Sequence, residues 1–180
     1  MNPAANLVLV GPMGAGKTTL GCALAERLGL RLFDLDREVE LAAGASVTEL
    51  FAREGEACFR AHEKARLAEL LAGDGALIAT GGGAVLDADN RRALRARGFV
   101  VYLPVDVATQ LARLAGDHTR PLLARPDREQ VRQDLTAVRT PLYLEVADMV
   151  FDTTGLAAED AAARLADRLA TQWMRQGATA

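Results

Sequence analysis

The stretch Gly11-Pro12-Met13-Gly14-Ala15-Gly16-Lys17-Thr18 constrains this chain more than any other, because it sets G-x-x-x-x-G-K-T between two segments of different hydrophobic period. Ahead of it, Leu7-Val8-Leu9-Val10 is an unbroken apolar run of the kind a parallel sheet buries on both faces. Behind it, Thr19 to Leu28 puts Leu20, Leu24 and Leu28 on one face of a helix. A strand, a glycine-rich turn and a helix N-terminus together make an anion site. Backbone N–H groups close around a phosphate, the helix end adds a partial positive charge and Lys17 adds a full one. The residues Gly14, Ala15, Gly16, Lys17, Thr18 and Thr19 are therefore read as nucleotide-binding, and the Thr18 hydroxyl is placed to ligate Mg²⁺. A turn made only for shape leaves Lys17-Thr18 unexplained.

At 180 residues, half of them apolar, the chain is expected to be one globular domain over 1–180. No apolar run approaches the ~18–20 residues of a membrane span, and Met1 to Asn6 has neither the basic start nor the apolar stretch of a secretory signal. A cytoplasmic protein that binds no membrane is expected. The net charge of −3, with arginines scattered rather than massed, argues against nonspecific nucleic-acid binding. Cys22 and Cys58 fall inside helical patterns without a C-x-x-C partner, and His62 lies far from His118, so neither a disulfide nor a zinc site is expected.

Four further apolar segments, 31–34, 76–80, 99–103 and 149–151, alternate with helical stretches, which predicts a parallel sheet covered on both faces. Gly29, Gly44, Gly73 and Gly98 each close a helical pattern and are expected as left-handed caps. Ser46-Val47-Thr48-Glu49 matches a capping box, and Asp106 and Asp127 are candidate N-caps. Between them, 116–126 breaks the pattern with Gly116, Pro121 and Pro126 while keeping Arg120 and Arg125; it reads as a lid, over about 115–127. The last helix, about 158–174, carries an apolar stripe with Leu165 and Leu169 that is expected to pack on the sheet, and a monomer is expected.

Beyond the phosphate loop, Asp34-Leu35-Asp36 closes the second strand, where period-2 alternation sends both carboxylates to one side. Ligands of open α/β sheets bind at such strand ends. One acid is suited to hold Mg²⁺ through water and the other to accept a hydroxyl proton; the competing reading is a helix N-cap at Asp34 or Asp36. The strand 76–79 runs into Thr80-Gly81-Gly82-Gly83, where many phosphate-loop enzymes carry a metal-supporting acid. Three glycines either let a ligand approach the backbone closely or make a simple turn. In Phe59-Arg60-x-x-Glu63 the spacing puts Arg60 beside Glu63 on a helix, and a solvated ion pair is the plain reading. Arg139-Thr140-Pro141-Leu142-Tyr143 offers either a helix-end cation or a planar fork for a carboxylate.

Taken in order, Gly11 to Thr18, Asp34-x-Asp36, Phe59-Arg60-x-x-Glu63, Gly81-Gly82-Gly83, Arg120-Pro121-Leu122-Leu123 and Arg139-x-Pro141-Leu142-Tyr143 resemble the motifs of the shikimate kinases over nearly the whole chain. The resemblance implies a compact α/β kinase related to nucleoside monophosphate kinases, with a five-stranded sheet of order 2-3-1-4-5, a substrate region over about 34–63 and a closing lid. It implies ATP and shikimate as substrates and Mg²⁺ as the metal. Asp36 would hold the shikimate hydroxyls and act as base, with Asp34 in the metal's water shell. Arg60 and Arg139, helped by Gly82, would clamp the carboxylate; Glu63 would orient Arg60, and Phe51 and Phe59 would line the ring's pocket. Lys17 and Arg120 would meet the transferring phosphate, with adenine between Arg113 and the loop holding Thr153. A gluconate kinase matches less well at the triple glycine and at Arg139-x-Pro141, and a noncatalytic nucleotide-binding module has no use for a hydroxyl-activating acid.

Overall fold

The strand and helix signals resolve, in the computed structural model, into five strands and seven α-helices over the described residues, 3–114 and 128–173. The strands are β1 Asn6–Val10, β2 Arg31–Asp34, β3 Ala76–Ala79, β4 Gly98–Tyr102 and β5 Met149–Val150. They lie in the order β2-β3-β1-β4-β5, and every neighbouring pair is parallel, with Leu7 opposite Leu77 on one side and Phe99 on the other. The helices are α1 Lys17–Leu28, α2 Leu35–Ala43, α3 Val47–Ala72, α4 Ala88–Arg97, α5 Val107–Arg113, α6 Arg128–Val146 and α7 Ala158–Gln172. The order 2-3-1-4-5 is the expected one. It places β1 at the centre, so the loop after β1 opens at the middle of the sheet's carboxyl edge, where neighbouring connections diverge.

Strand alternation divides the core in two. Leu7, Leu9, Leu77, Phe99 and Val101 face α1 and α7, whose Leu20, Leu24, Leu165 and Leu169 complete that layer. Val8, Val10, Ile78, Val100 and Tyr102 face Leu67 and Leu71 of α3, Leu94 of α4 and Tyr143 of α6. The last helix therefore packs on the sheet, as its stripe predicts. A smaller cluster, Val39, Leu50 and Phe59, joins α2 to α3 outside the sheet. Asn6 is fully buried: its side-chain amide donates to Gly73 O at 2.8 Å and accepts from Ala76 N at 3.0 Å, bridging the β3 entry to β1. Satisfied on both sides, it costs little to bury.

Several expectations are corrected. Gly29 and Gly44 are left-handed caps, but Gly73 and Gly98 are extended. Gly98 is needed for room rather than for φ, since a Cβ there would stand 2.8 Å from Val8 Cγ2 and 2.9 Å from Leu94 O. The Ser46/Glu49 capping box is complete, and α3 runs from it without interruption by a loop; its backbone departs from helical geometry only at Gly55, with φ 81° and ψ 173°. Asp106 caps α5 through Thr109 N. The proposed cap Asp127 and the lid, 115–127, lie outside the described residues. No described helix is long and apolar enough to cross a membrane.

Candidate active site

The phosphate loop is built as its letters require. Gly11, Gly14 and Gly16 all have positive φ, and a Cβ on Gly11 would meet Leu103 O at 2.6 Å. Gly16 is the left-handed N-cap of α1, and no side chain caps that helix start, which keeps the positive end of α1 facing the loop. Lys17 is buried and donates from Nζ to Gly11 O at 2.7 Å and Pro12 O at 2.8 Å, so its ammonium is held across the mouth of the loop. On the outer side Arg113 donates to Gly14 O at 3.0 Å. A cavity of about 180 Å³ opens here, with Lys17, Thr18, Thr19, Asp34, Asp36 and Gly82 among its walls.

The two aspartates reach that cavity by a different route from the one alternation suggests. The strand ends at Asp34, and Asp36 lies in the first turn of α2. Asp34 is the N-cap of α2, accepting from Arg37 N at 3.3 Å with one oxygen and from the Thr18 hydroxyl at 2.5 Å with the other. The capping reading therefore holds for Asp34, whose side chain also stands on the cavity wall. Asp36 is turned inward because the helix, not the strand, sets its direction. Two hard oxygens, a hydroxyl and a carboxylate, stand together at Thr18 and Asp34, the donor set that Mg²⁺ takes.

The triple glycine is a junction. A Cβ on Gly81 would lie 2.6 Å from Asp36 Oδ1 and 2.9 Å from Glu63 Oε1; one on Gly82 would touch Met13 N at 3.4 Å and Arg139 Nη1 at 3.5 Å; one on Gly83 would collide with the Arg60 guanidinium. Three consecutive residues therefore bring α2, the phosphate loop, α3 and α6 against one short piece of backbone. Side chains would push them apart. The glycines let Asp36, Glu63, Arg139 and Arg60 approach the backbone closely, and they also form a turn, in which Ala84 N donates to Gly81 O at 3.2 Å.

Charge is concentrated behind this junction. Arg60 donates to Glu63 Oε2 at 2.7 Å and to Glu56 at 3.1 Å. The pair is not solvated as the spacing alone suggested, because Glu63 is only 1% exposed. Burial drives the Glu63 carboxyl above its ordinary range, the Arg60 charge opposes that, Asp36 adds to it and Arg139 opposes it. Among the described residues, Glu63 Oε1 and Arg139 Nε are buried without a hydrogen-bond partner. Buried polar atoms without a partner beside a cleft are candidate ligand contacts. Tyr143 donates to Gly82 O at 2.6 Å and stacks on Tyr102, which fixes the glycine turn against α6. Burial holds the Tyr143 hydroxyl in its neutral, donating form.

Phe59 is buried and packs against Phe51 in a tilted pair with centroids 4.8 Å apart, while the Arg60 guanidinium lies 5.1 Å from the centroid of the Phe59 ring. Thr153 is buried in the turn after β5, where its carbonyl accepts from Leu156 N. Arg120 lies outside the described residues. One residue escaped sequence reasoning: Arg132, buried on α6, donates to Gln110 Oε1 at 3.3 Å and reaches Met13 Sδ at 3.7 Å. With Arg139 it lines a small cavity of about 30 Å³ beside the phosphate loop. Its signal was present, since seven residues are two helical turns and put both arginines on one face.

The family model described as shikimate kinase matches residues 13–170. A shikimate kinase of Stenotrophomonas maltophilia (strain R551-3) is 58% identical over 180 residues, covering 100% of both chains. The structure of shikimate kinase from Acinetobacter baumannii in complex with shikimate superposes with a TM-score of 0.90 at 45% identity, over 93% of this chain and 94% of that one. A gluconokinase from Sinorhizobium meliloti 1021, 19% identical with a TM-score of 0.51 over 94% of this chain and 97% of that one, shares the fold alone.

Proposed function

The chain belongs to the shikimate kinase family, and from that premise we propose that it transfers the γ-phosphate of ATP to the 3-hydroxyl of shikimate. The observation that carries this reading is the glycine junction, which sets a phosphate loop, an inward carboxylate and two arginines around one backbone turn. A small hydroxylated anion fits that arrangement: Arg60 and Arg139 oppose its carboxylate, and Asp36 meets its hydroxyls. The buried Arg139 Nε supplies a donor that the fold leaves open.

In the reaction, the Asp36 carboxylate accepts the hydroxyl proton as the oxygen forms its bond to the γ-phosphorus, and the bond to the bridging oxygen of ADP breaks. The α1 N-terminus and Lys17 take the phosphate oxygens, Lys17 exchanging its two loop carbonyls for them. Thr18, and Asp34 through water, would hold Mg²⁺, which when bound neutralises charge on the β- and γ-phosphates. Arg113 and the turn at Thr153 flank the adenine side, and Phe51 and Phe59 back the substrate region, 34–63. Arg120, from the lid at 115–127, completes the positive charge on closure, and closure keeps water from the phosphate. We assign the chain one catalytic domain over 1–180, a monomeric state and a cytoplasmic location.

The test is phosphate transfer measured with shikimate and gluconate side by side. Shikimate-dependent ADP release with little turnover of gluconate is expected. ADP release that needs no shikimate, or that prefers gluconate, overturns the reading.

A further inference from the structure

Outside this site, three side chains stand in a row along α3: Glu54, Cys58 and His62, spaced four residues apart. Their carboxylate, thiol and imidazole ligand atoms all lie within 4.8 Å of one another, and none of the three is buried. Cys58 and His62 are neighbours on a regular helical face. Glu54 is not part of that regular face, because Gly55 breaks the helical geometry just after it. Even so, the Cys58 thiol donates to Glu54 Oε2 at 2.8 Å, across the break. The break separates the segment bearing Leu50 and Phe51 from the one bearing Phe59, Arg60 and Glu63.

A tetrahedral zinc site with bonds of about 2.0–2.3 Å sets its ligand atoms about 3.3–3.6 Å apart. Small rotamer changes in accessible side chains bring three atoms already within 4.8 Å to that spacing. The donor set selects the ion: thiolate and imidazole suit Zn²⁺ or Co²⁺ and are poor ligands for Mg²⁺. A C-x-x-C pattern does not describe this cluster, because its three donors are of three different types and spaced four residues apart.

We propose that Glu54, Cys58 and His62 form a binding site for a borderline-soft divalent cation of the zinc class, separate from the Thr18 and Asp34 site, that fastens the two halves of α3 across Gly55. On binding, Cys58 loses its thiol proton to solvent and its sulfur bonds the metal; water fills the fourth position. This does not rest on the kinase reading.

The probe is Co²⁺ titrated into reduced, metal-free full-length protein. One equivalent should give a thiolate-to-cobalt charge-transfer band with the visible spectrum of a tetrahedral ion, displaced by Zn²⁺ and unmoved by excess Mg²⁺. Cys58→Ser should abolish the charge-transfer band, Cys22→Ser should keep it, and His62→Ala and Glu54→Gln should each weaken binding at least about 10-fold, the loss expected even for an outer partner. A band that survives in Cys58→Ser, vanishes in Cys22→Ser, or binds as tightly in His62→Ala overturns the site. Zn²⁺ should also slow amide hydrogen exchange at residues 54–58 in the wild type and not in Cys58→Ser; unchanged exchange in the wild type overturns the fastening.

Discussion

Lys17, Gly81 and Glu63 show how single residues set the terms of this site. Replacing Lys17 by Met keeps most of the stem's bulk and removes the charge that its position aims at the loop, so turnover should fall at least ~100-fold, as loss of one preorganised electrostatic group typically gives. Steady-state kinetics at saturating substrates measures it, and near-normal turnover would mean the loop is misread. Gly81→Ala tests the junction: its added Cβ meets Asp36 and Glu63 rather than a strained backbone, so the cost should be one of overpacking, about 1–3 kcal/mol. Denaturant unfolding should show that loss, together with a raised KM for shikimate as Asp36 is displaced. Glu63 carries a pH signature. Its folded-state pKa is raised, so its contribution to stability is fully present below the ordinary carboxylate range and is lost as pH rises through the folded value. Unfolding free energy followed from acid to neutral pH should therefore climb more steeply, or fall less, in Glu63→Gln than in the wild type; parallel profiles would contradict the raised pKa.

At the scale of elements, helix starts decide where function sits. Asp34 caps α2 and binds Thr18, so one side chain ends β2, begins α2 and faces the cavity. Asp36 lies in the first turn of α2 and is not its N-cap, and the two should fail differently. On the proposed assignment, Asp34→Asn should weaken metal support, and raising Mg²⁺ should recover part of its lost rate by mass action; Asp36→Asn should remove the base and stay nearly inactive at any Mg²⁺ concentration. Turnover against Mg²⁺ for both variants checks this, and rescue of Asp36→Asn would reverse the assignment. The start of α3 is held by the reciprocal Ser46 and Glu49 contacts. Ser46→Ala should cost about 1 kcal/mol in a thermal or urea melt, the usual worth of an N-cap. Along α6, Arg132 and Arg139 occupy one face two turns apart and line one small cavity beside the phosphate loop.

Across the whole molecule, the central place of β1 explains why a loop at the start of the chain meets residues from its far end. Trp173 closes that circuit: its indole N–H donates to Ala4 O at 2.9 Å and its ring packs against Phe99. It is the chain's one tryptophan, so its fluorescence should report global unfolding, and Trp173→Phe should lose about 0.5–1.5 kcal/mol for the hydrogen bond beyond any packing loss. The phosphate loop, the five strands, the capping box and the parallel sheet were legible in the sequence, because each depends on local spacing and on which faces are apolar. The arginines and acids of the site were legible as residues but not as an arrangement. Sequence spacing could not say that Asp36 belongs to a helix turn rather than a strand end, since the chain direction changes at the cap on Asp34. Nor could it say that Glu63 is buried, that Arg132 joins Arg139 at the loop, or that each of three glycines receives a different partner. Those facts come from packing α2, α3 and α6 against one turn after β3, and burial and close approach are properties of contacts between segments far apart in the chain.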